Sequence, residues 1–285
     1  MKRIIIVIVV AVLTMLTACS GTSCNIEDVQ EETTVPQTGD MTGVAKLNAA
    51  ICAYNDSVCT PYAATRSWFS RLFKAIVGDA VGALFGNLYG GPVGAGIGAA
   101  AFSAYACYNQ NDYKDTPLSN EINKRFDTKL LVPHNTSLNS PMDSIGVIHN
   151  KLILDASKDI NVSDTDSIVQ KLKLAARKKY KNYDSVNYDI INKYLGRFKR
   201  AVSYPSKIDL EQNLENAFPE KKEDIVVISN FIKGLKSLNT GTNKTEYLQK
   251  ILKLVDESKL ENDQKQSIRN AIIVANASDY LWKEQ

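Results

Sequence analysis

Apolar residues recur at spacings of three and four along most of the chain, with no sustained alternation in the period of two that marks a half-buried strand. Ile145, Ile148 and Leu152 share one helical face, as do Val169, Leu172, Ala176 and Tyr180, and then Ile191, Leu195, Phe198 and Val202. Leu210, Leu214 and Phe218 form a shorter stripe, after which Pro219 opens a helix with Ile228, Phe231, Ile232, Leu235 and Leu238 on one side. Leu248, Ile251, Leu252 and Val255 follow, and the last stripe is Ile268, Ala271, Ile272 and Ala275. Short polar turns separate the stripes, as between antiparallel helices. The pattern predicts an all-α fold, with one helical domain of about seven helices over residues 117–285 and no repeat of fixed period. A short helix is also expected around residues 44–54, and Ser140 before Pro141 reads as a helix start.

Residues 67–108 depart from this pattern. The segment opens amphipathically, with Trp68, Phe69, Leu72, Phe73, Ile76 and Val77 beside Arg71 and Lys74. Charges stop after Asp79, and residues 80–111 carry none. Within this stretch Gly78, Gly82, Gly86, Gly90, Gly94 and Gly98 stand four apart without a break. On a helix they form one smooth face. Each costs about 1 kcal/mol against alanine in a helix interior, so six forfeit about 6 kcal/mol of propensity. That is a large part of a domain's net stability, and close backbone approach by another helix is the usual compensation. Gly90-Gly91-Pro92 interrupts the run, which predicts two helices, about 67–89 and 92–108, forming a hairpin or kinked pair. Two readings follow. In one, the hairpin is the centre of the soluble fold, wrapped by the later amphipathic helices, which suits Asn87 and the tyrosines. In the other, it inserts into a bilayer or self-associates through the glycine face. The spacing resembles the glycine-zipper segments of some outer-membrane lipoproteins and membrane-active bacteriocins over about 30 residues, and that resemblance implies the second reading.

Composition changes the picture mainly at the N-terminus. Over 285 residues, 44% hydrophobic and 23% charged content is that of a folded chain and excludes global disorder. Lys2 and Arg3 precede an apolar run over residues 4–16, too short to span a bilayer comfortably and right for a secretory signal. Leu16-Thr17-Ala18-Cys19 follows. This segment resembles the lipobox of bacterial lipoproteins, which implies cleavage before Cys19 and diacylglyceryl modification of its thiol. Acylation would hold the protein at a membrane through its N-terminus. Ser20, where the best-known sorting system reads Asp as inner-membrane retention, implies the outer membrane within that resemblance. Residues 20–42 read as a flexible tether. Their acids Glu27, Asp28, Glu31 and Glu32 resemble the acidic stretch of surface-exported Bacteroidota lipoproteins. The layout expected is a signal peptide over 1–18, a lipidated tether over 19–42, a short helix and glycine-rich hairpin over 43–116, and the helical domain over 117–285. Loss of Lys2 and Arg3 takes the net charge from +3 to +1, which gives no ground for a nucleic-acid partner.

Candidate chemistry is sparse. With Cys19 acylated, Cys24, Cys52, Cys59 and Cys107 remain, and an oxidising compartment allows two disulfides in three connectivities. Cys52 and Cys59 enclose a short loop, AYNDSV, and are the favoured pair, although i, i+7 spacing would also place them near one face of a helix. With no CxxC and two histidines, no zinc site is expected. His149 lies on the apolar face with Ile145, Ile148 and Leu152. It suits a general base or ligand, but more simply a core histidine, since no acid stands four residues away to orient it. His134 follows Pro133 in an expected loop. IGVIHNKLIL at 145–154 resembles a stretch of uncharacterised Bacteroidota lipoproteins, which implies no role. HExxH, GxSxG, P-loop and GxGxxG motifs are absent. Asp164, Asp166, Glu220, Glu223 and Asp224 sit at expected helix starts, where they complement the dipole. The run KLKLAARKKYK at 171–181 is either a solvated helix face or a basic surface for an anionic lipid or glycan. Asp-Ser-(Val/Ile) triplets place Ser57, Ser144, Ser167 and Ser185 in a pattern that resembles the O-glycosylation acceptor of exported Bacteroidota proteins, though it is equally an N-cap signature.

These readings converge on a lipid-anchored cell-envelope protein without cofactor or metal, whose role is non-enzymatic binding, interaction or structure. The alternative is a membrane-active protein that forms pores or oligomerises through its glycine hairpin.

Overall fold

The computed structural model describes residues 42–60, 69–108, 145–157, 165–180, 182–203 and 210–281. Among them are ten α-helices: α1 (Gly43–Val58), α2 (Phe69–Leu88), α3 (Gly91–Tyr108), α4 (Ile145–Ser157), α5 (Thr165–Lys179), α6 (Tyr188–Ser203), α7 (Leu210–Ala217), α8 (Lys222–Ser237), α9 (Lys244–Glu257) and α10 (Asn262–Leu281). Single 3₁₀ turns at Tyr183–Ser185 and Pro219–Lys221 lead into α6 and α8. The expected all-α class is what the chain adopts, and no strand occurs among the described residues. Cys19 and the tether, Ser140-Pro141, Ser144 and His134 lie outside them.

Local chemistry sets the helix ends. The Thr42 hydroxyl accepts from the Ala45 amide at 3.1 Å at the start of α1, and Asn243 accepts from the Thr245 amide at 2.8 Å at the start of α9. Between α2 and α3 the chain reverses at Gly91, whose φ of +55° is open to glycine at no steric cost.

α2 and α3 form the hairpin, and it lies at the centre. Every residue over 75–86 and 94–104 is buried. A helix that is apolar all round must be enclosed by others, and here α10 lies along α2 while α4, α5 and α6 cover α3. The outer helices are amphipathic, as their stripes predict. α6 buries Ile191, Leu195, Phe198 and Val202, and α9 buries Leu248, Ile251, Leu252 and Val255. One hydrophobic core runs from Val44 of α1 through the hairpin to Leu281 of α10. Aromatic pairs fasten the hairpin to α6: Phe85 stacks on Tyr194 with ring centroids 4.1 Å apart, and Phe102 on Phe198 at 4.9 Å. Phe218 joins this cluster 4.8 Å from Phe85, and the Arg197 guanidinium covers the Phe218 ring at 4.8 Å. Arg197 also donates to the Ala217 carbonyl and pairs with Glu220 at 2.5 Å, so it closes the end of α7.

The glycine faces of α2 and α3 close on each other. A Cβ at Gly82 would overlap the Gly98 carbonyl, and one at Gly98 would overlap the Gly82 carbonyl. Gly86 and Gly94 form a second reciprocal pair. At the two ends of the run the partners change. A Cβ at Gly78 would meet Phe198 Cζ at 3.0 Å, and one at Gly90 would meet Val186 Cγ2 at 2.9 Å. The close approach that compensates six glycines is therefore found inside this chain. No helix among the described residues is long and apolar enough to cross a membrane.

The favoured disulfide is corrected. Cys52 is disulfide-bonded, but Cys59 is a free thiol whose Sγ lies 3.4 Å from the Gly234 carbonyl. The segment between them is not a loop. α1 runs unbroken to Val58, so Cys59 stands seven residues further along the helix, a rise of about 10 Å. A disulfide spans no more than about 7 Å between Cα atoms. Cys59 instead leaves the helix in extended backbone and bridges Leu238, tying the ends of α1 and α8.

Candidate functional site

Small residues bring the buried His149 to its partners. A Cβ at Gly146 would stand 2.5 Å from Ala277 Cβ on α10, and one at Gly96 would stand 2.8 Å from Ile148 Cγ2. α4 thus sits tightly against both α10 and α3. His149, on its buried face, is aimed at the middle of α2.

There the imidazole meets Asp79, the last charge before the uncharged stretch. His149 Nε2 lies 2.8 Å from Asp79 Oδ1, with both side chains fully buried. The Ser278 hydroxyl of α10 donates to Asp79 Oδ2. On the other side of the ring, Nδ1 lies 2.8 Å from Asn150 Oδ1, and Asn150 Nδ2 donates to the Ala277 carbonyl at 3.2 Å. That last bond fixes which way the Asn150 amide points, so both ring nitrogens face oxygen acceptors. The four side chains join α2, α4 and α10 in one polar network.

A second set continues it along α2 and α10. Asn270 Nδ2 donates to Asn87 Oδ1 at 2.7 Å, and Asn87 Nδ2 donates to Ser267 Oγ at 3.0 Å. The pairs 79 with 278 and 87 with 270 set the antiparallel register of these helices. Asp279, next to Ser278, is held between Lys236 and Lys244, the latter at 2.6 Å. Burial pushes the Asp279 carboxyl up, but the two ammonium groups outweigh it and the net displacement is below its ordinary range. Tyr247 likewise donates to Asn55 at 2.7 Å under burial that raises its phenol, at a point where α8 presents Gly234 and no side chain would fit.

The Asp79 network contains the groups of a hydrolytic triad in an order that does not perform one. A nucleophilic serine must be bonded to the imidazole, with the carboxylate on the far ring nitrogen. Ser278 is bonded to the carboxylate instead. All four side chains are enclosed, so no substrate atom reaches them. Their chemistry is mutual satisfaction: buried polar groups that each find a partner, linking three helices.

The remaining expected features fall as follows. All six zipper glycines lie in α2, α3 and the turn between them. Glu220 is the partner of Arg197, which holds its carboxyl below the ordinary range, and buried Asp224 accepts from Gln264 at 2.8 Å with Lys221 2.9 Å away. Both therefore do more than complement a helix dipole. Ser57 and Ser185 are exposed, each donating to a backbone carbonyl three residues earlier. Among the described residues no group of His, Cys, Asp and Glu is arranged to hold a metal ion. Asp79, Ser278 and Asn150 are the participants that the reading of periodicity and motifs passed over. One signal was present: Asp79 is the single charge inside the glycine-spaced run, and a lone carboxylate among apolar neighbours requires a partner. No protein-family model matches the chain, and no curated protein or solved structure does so either.

Proposed function

We propose that this chain is a lipid-anchored cell-envelope protein, tethered through Cys19 to the outer membrane, whose role is non-enzymatic and exercised by the outer surface of a closed helical body. One observation carries the reading. The glycine faces, which elsewhere would serve insertion or assembly, are occupied by each other and enclosed. Among the described residues, what is left to meet a partner is the polar side of the amphipathic helices. The enclosed Asp79–His149 pair supports the same reading, since it serves packing and offers no atom to a substrate. A membrane-active role would require the hairpin to leave its sheath and carry Asp79 into hydrocarbon, at a cost of several kcal/mol.

The test has two arms. Labelled palmitate should enter the wild-type protein in a Gram-negative host, and Cys19→Ala should abolish the label. The mature chain with Cys19→Ser, which carries no acyl group, should release no dye from loaded vesicles. Absence of label from the wild type would remove the anchor from the account, and dye release would put the membrane-active role in its place.

A further inference from the structure

The buried face of α5 is formed by Ile168, Val169, Leu172 and Ala176, all fully enclosed. The opposite face is unusual. Leu174 points outward at 55% exposure, one of two large apolar side chains so exposed among the described residues. On the helix it is flanked by Lys171 three residues before, and by Arg177 and Lys178 three and four after, all on one arc. No carboxylate occurs between Asp166 and Asp184 in the sequence. Two other cations of this helix are occupied: Lys179 pairs with Asp155, and Lys173 Nζ lies 4.7 Å over the Tyr188 ring. Lys171, Arg177 and Lys178 have no carboxylate in salt-bridge range among the described residues. Full solvation of three cations is ordinary, but a leucine in their midst is unpartnered surface.

The second exposed apolar side chain is Leu88, at 37%, on the tip of the glycine hairpin. Lys173, next to Leu174, is linked to that tip through Tyr188. Tyr188, beneath Lys173, stands two residues after Val186, which packs on Gly90 at the tip, and the Asn187 amide donates to the Tyr89 carbonyl at 2.9 Å.

We infer that the outer face of α5, formed by Lys171, Leu174, Arg177 and Lys178, docks on an anionic phospholipid surface. Cations facing headgroup phosphates, with an apolar side chain between them to enter the acyl boundary, is the pattern of interfacial binding. The inference rests on the reading of the chain as membrane-tethered, where a surface of that kind is always at hand. The lipid on Cys19 then holds the protein near the bilayer, and α5 sets which side of the helical body faces it. The contact is peripheral and leaves the hairpin enclosed.

Co-sedimentation of the unacylated mature chain (Cys19→Ser) with vesicles tests this apart from the anchor, which palmitate labelling reads by itself. The protein should bind phosphatidylglycerol–phosphatidylcholine vesicles, and not phosphatidylcholine alone. Added salt should weaken the binding. The combined change Lys171→Glu, Arg177→Glu and Lys178→Glu should weaken it by roughly a hundredfold or more. Leu174→Ser should weaken it by roughly fivefold, since about half a leucine is transferred. Leu174, Arg177 and Lys178 are exposed and Lys171 is half-buried, and the circular dichroism of each variant should match the wild type. No binding by the wild type, equal binding to neutral vesicles, or unaltered binding by the charge-reversed variant would overturn the proposal. A loss on charge reversal with none in Leu174→Ser would also overturn it, in favour of a generic polyanion.

Discussion

Asp79 shows what a single residue can require of a fold. A carboxylate enclosed among alanine and glycine is tolerated only if its oxygens are satisfied. The satisfying groups come from α4 and α10, 70 and 199 residues further along the chain. Removing one member of such a pair leaves the other buried and unmatched, which typically costs 3–5 kcal/mol. His149→Ala should therefore lose about 4 kcal/mol in urea unfolding while the folded state keeps its helix content. A loss below about 1 kcal/mol would mean that the imidazole does not hold the carboxylate. The histidine's burial was legible from its place on the Ile145, Ile148, Leu152 stripe. Its partner was not, because periodicity reports which face of a helix is buried and says nothing of which residue faces it.

Between elements, the glycines decide how near two helices come. The spacing of four announced a shared face and demanded a close neighbour. It did not name one, because another copy, a lipid-embedded helix or the other arm of the hairpin would compensate equally. The structure resolves this through the reciprocal pairs 82 with 98 and 86 with 94, which are the pairs an antiparallel turn at Gly90-Gly91 brings together. Gly196 of α6 provides the contrast, since a Cβ there would meet nothing within 4 Å. Gly196→Ala should stabilise the protein by up to about 1 kcal/mol, whereas Gly86→Ala should destabilise it by about 2 kcal/mol through collision with backbone that cannot yield. Thermal unfolding of the two variants measures both, and the same sign of shift in each would refute the distinction. The ten helices were largely foreseen because amphipathic stripes and proline starts are local signals. The Cys52–Cys59 pairing fails for the converse reason: few residues between two cysteines suggest a loop, but Thr42 and the stripe of Val44, Leu47 and Ile51 carry α1 through them.

For the whole molecule, an apolar hairpin is wrapped by amphipathic helices and fixed to α10 by polar bonds at the middle and the C-terminal end of α2. Function, on this account, belongs to the outside: the tether, and the basic face of α5 with Leu174. Amide hydrogen exchange of the unacylated mature chain, with and without anionic vesicles, tests the central claim that the hairpin is permanent core. Buried core amides exchange only through global opening. The account predicts that amides over 75–86 and 94–104 are among the slowest in solution, and that vesicles leave them unchanged while protection rises in α5. Fast exchange of the hairpin in solution, or loss of its protection when vesicles are added, would contradict it and make the hairpin the working part of the protein.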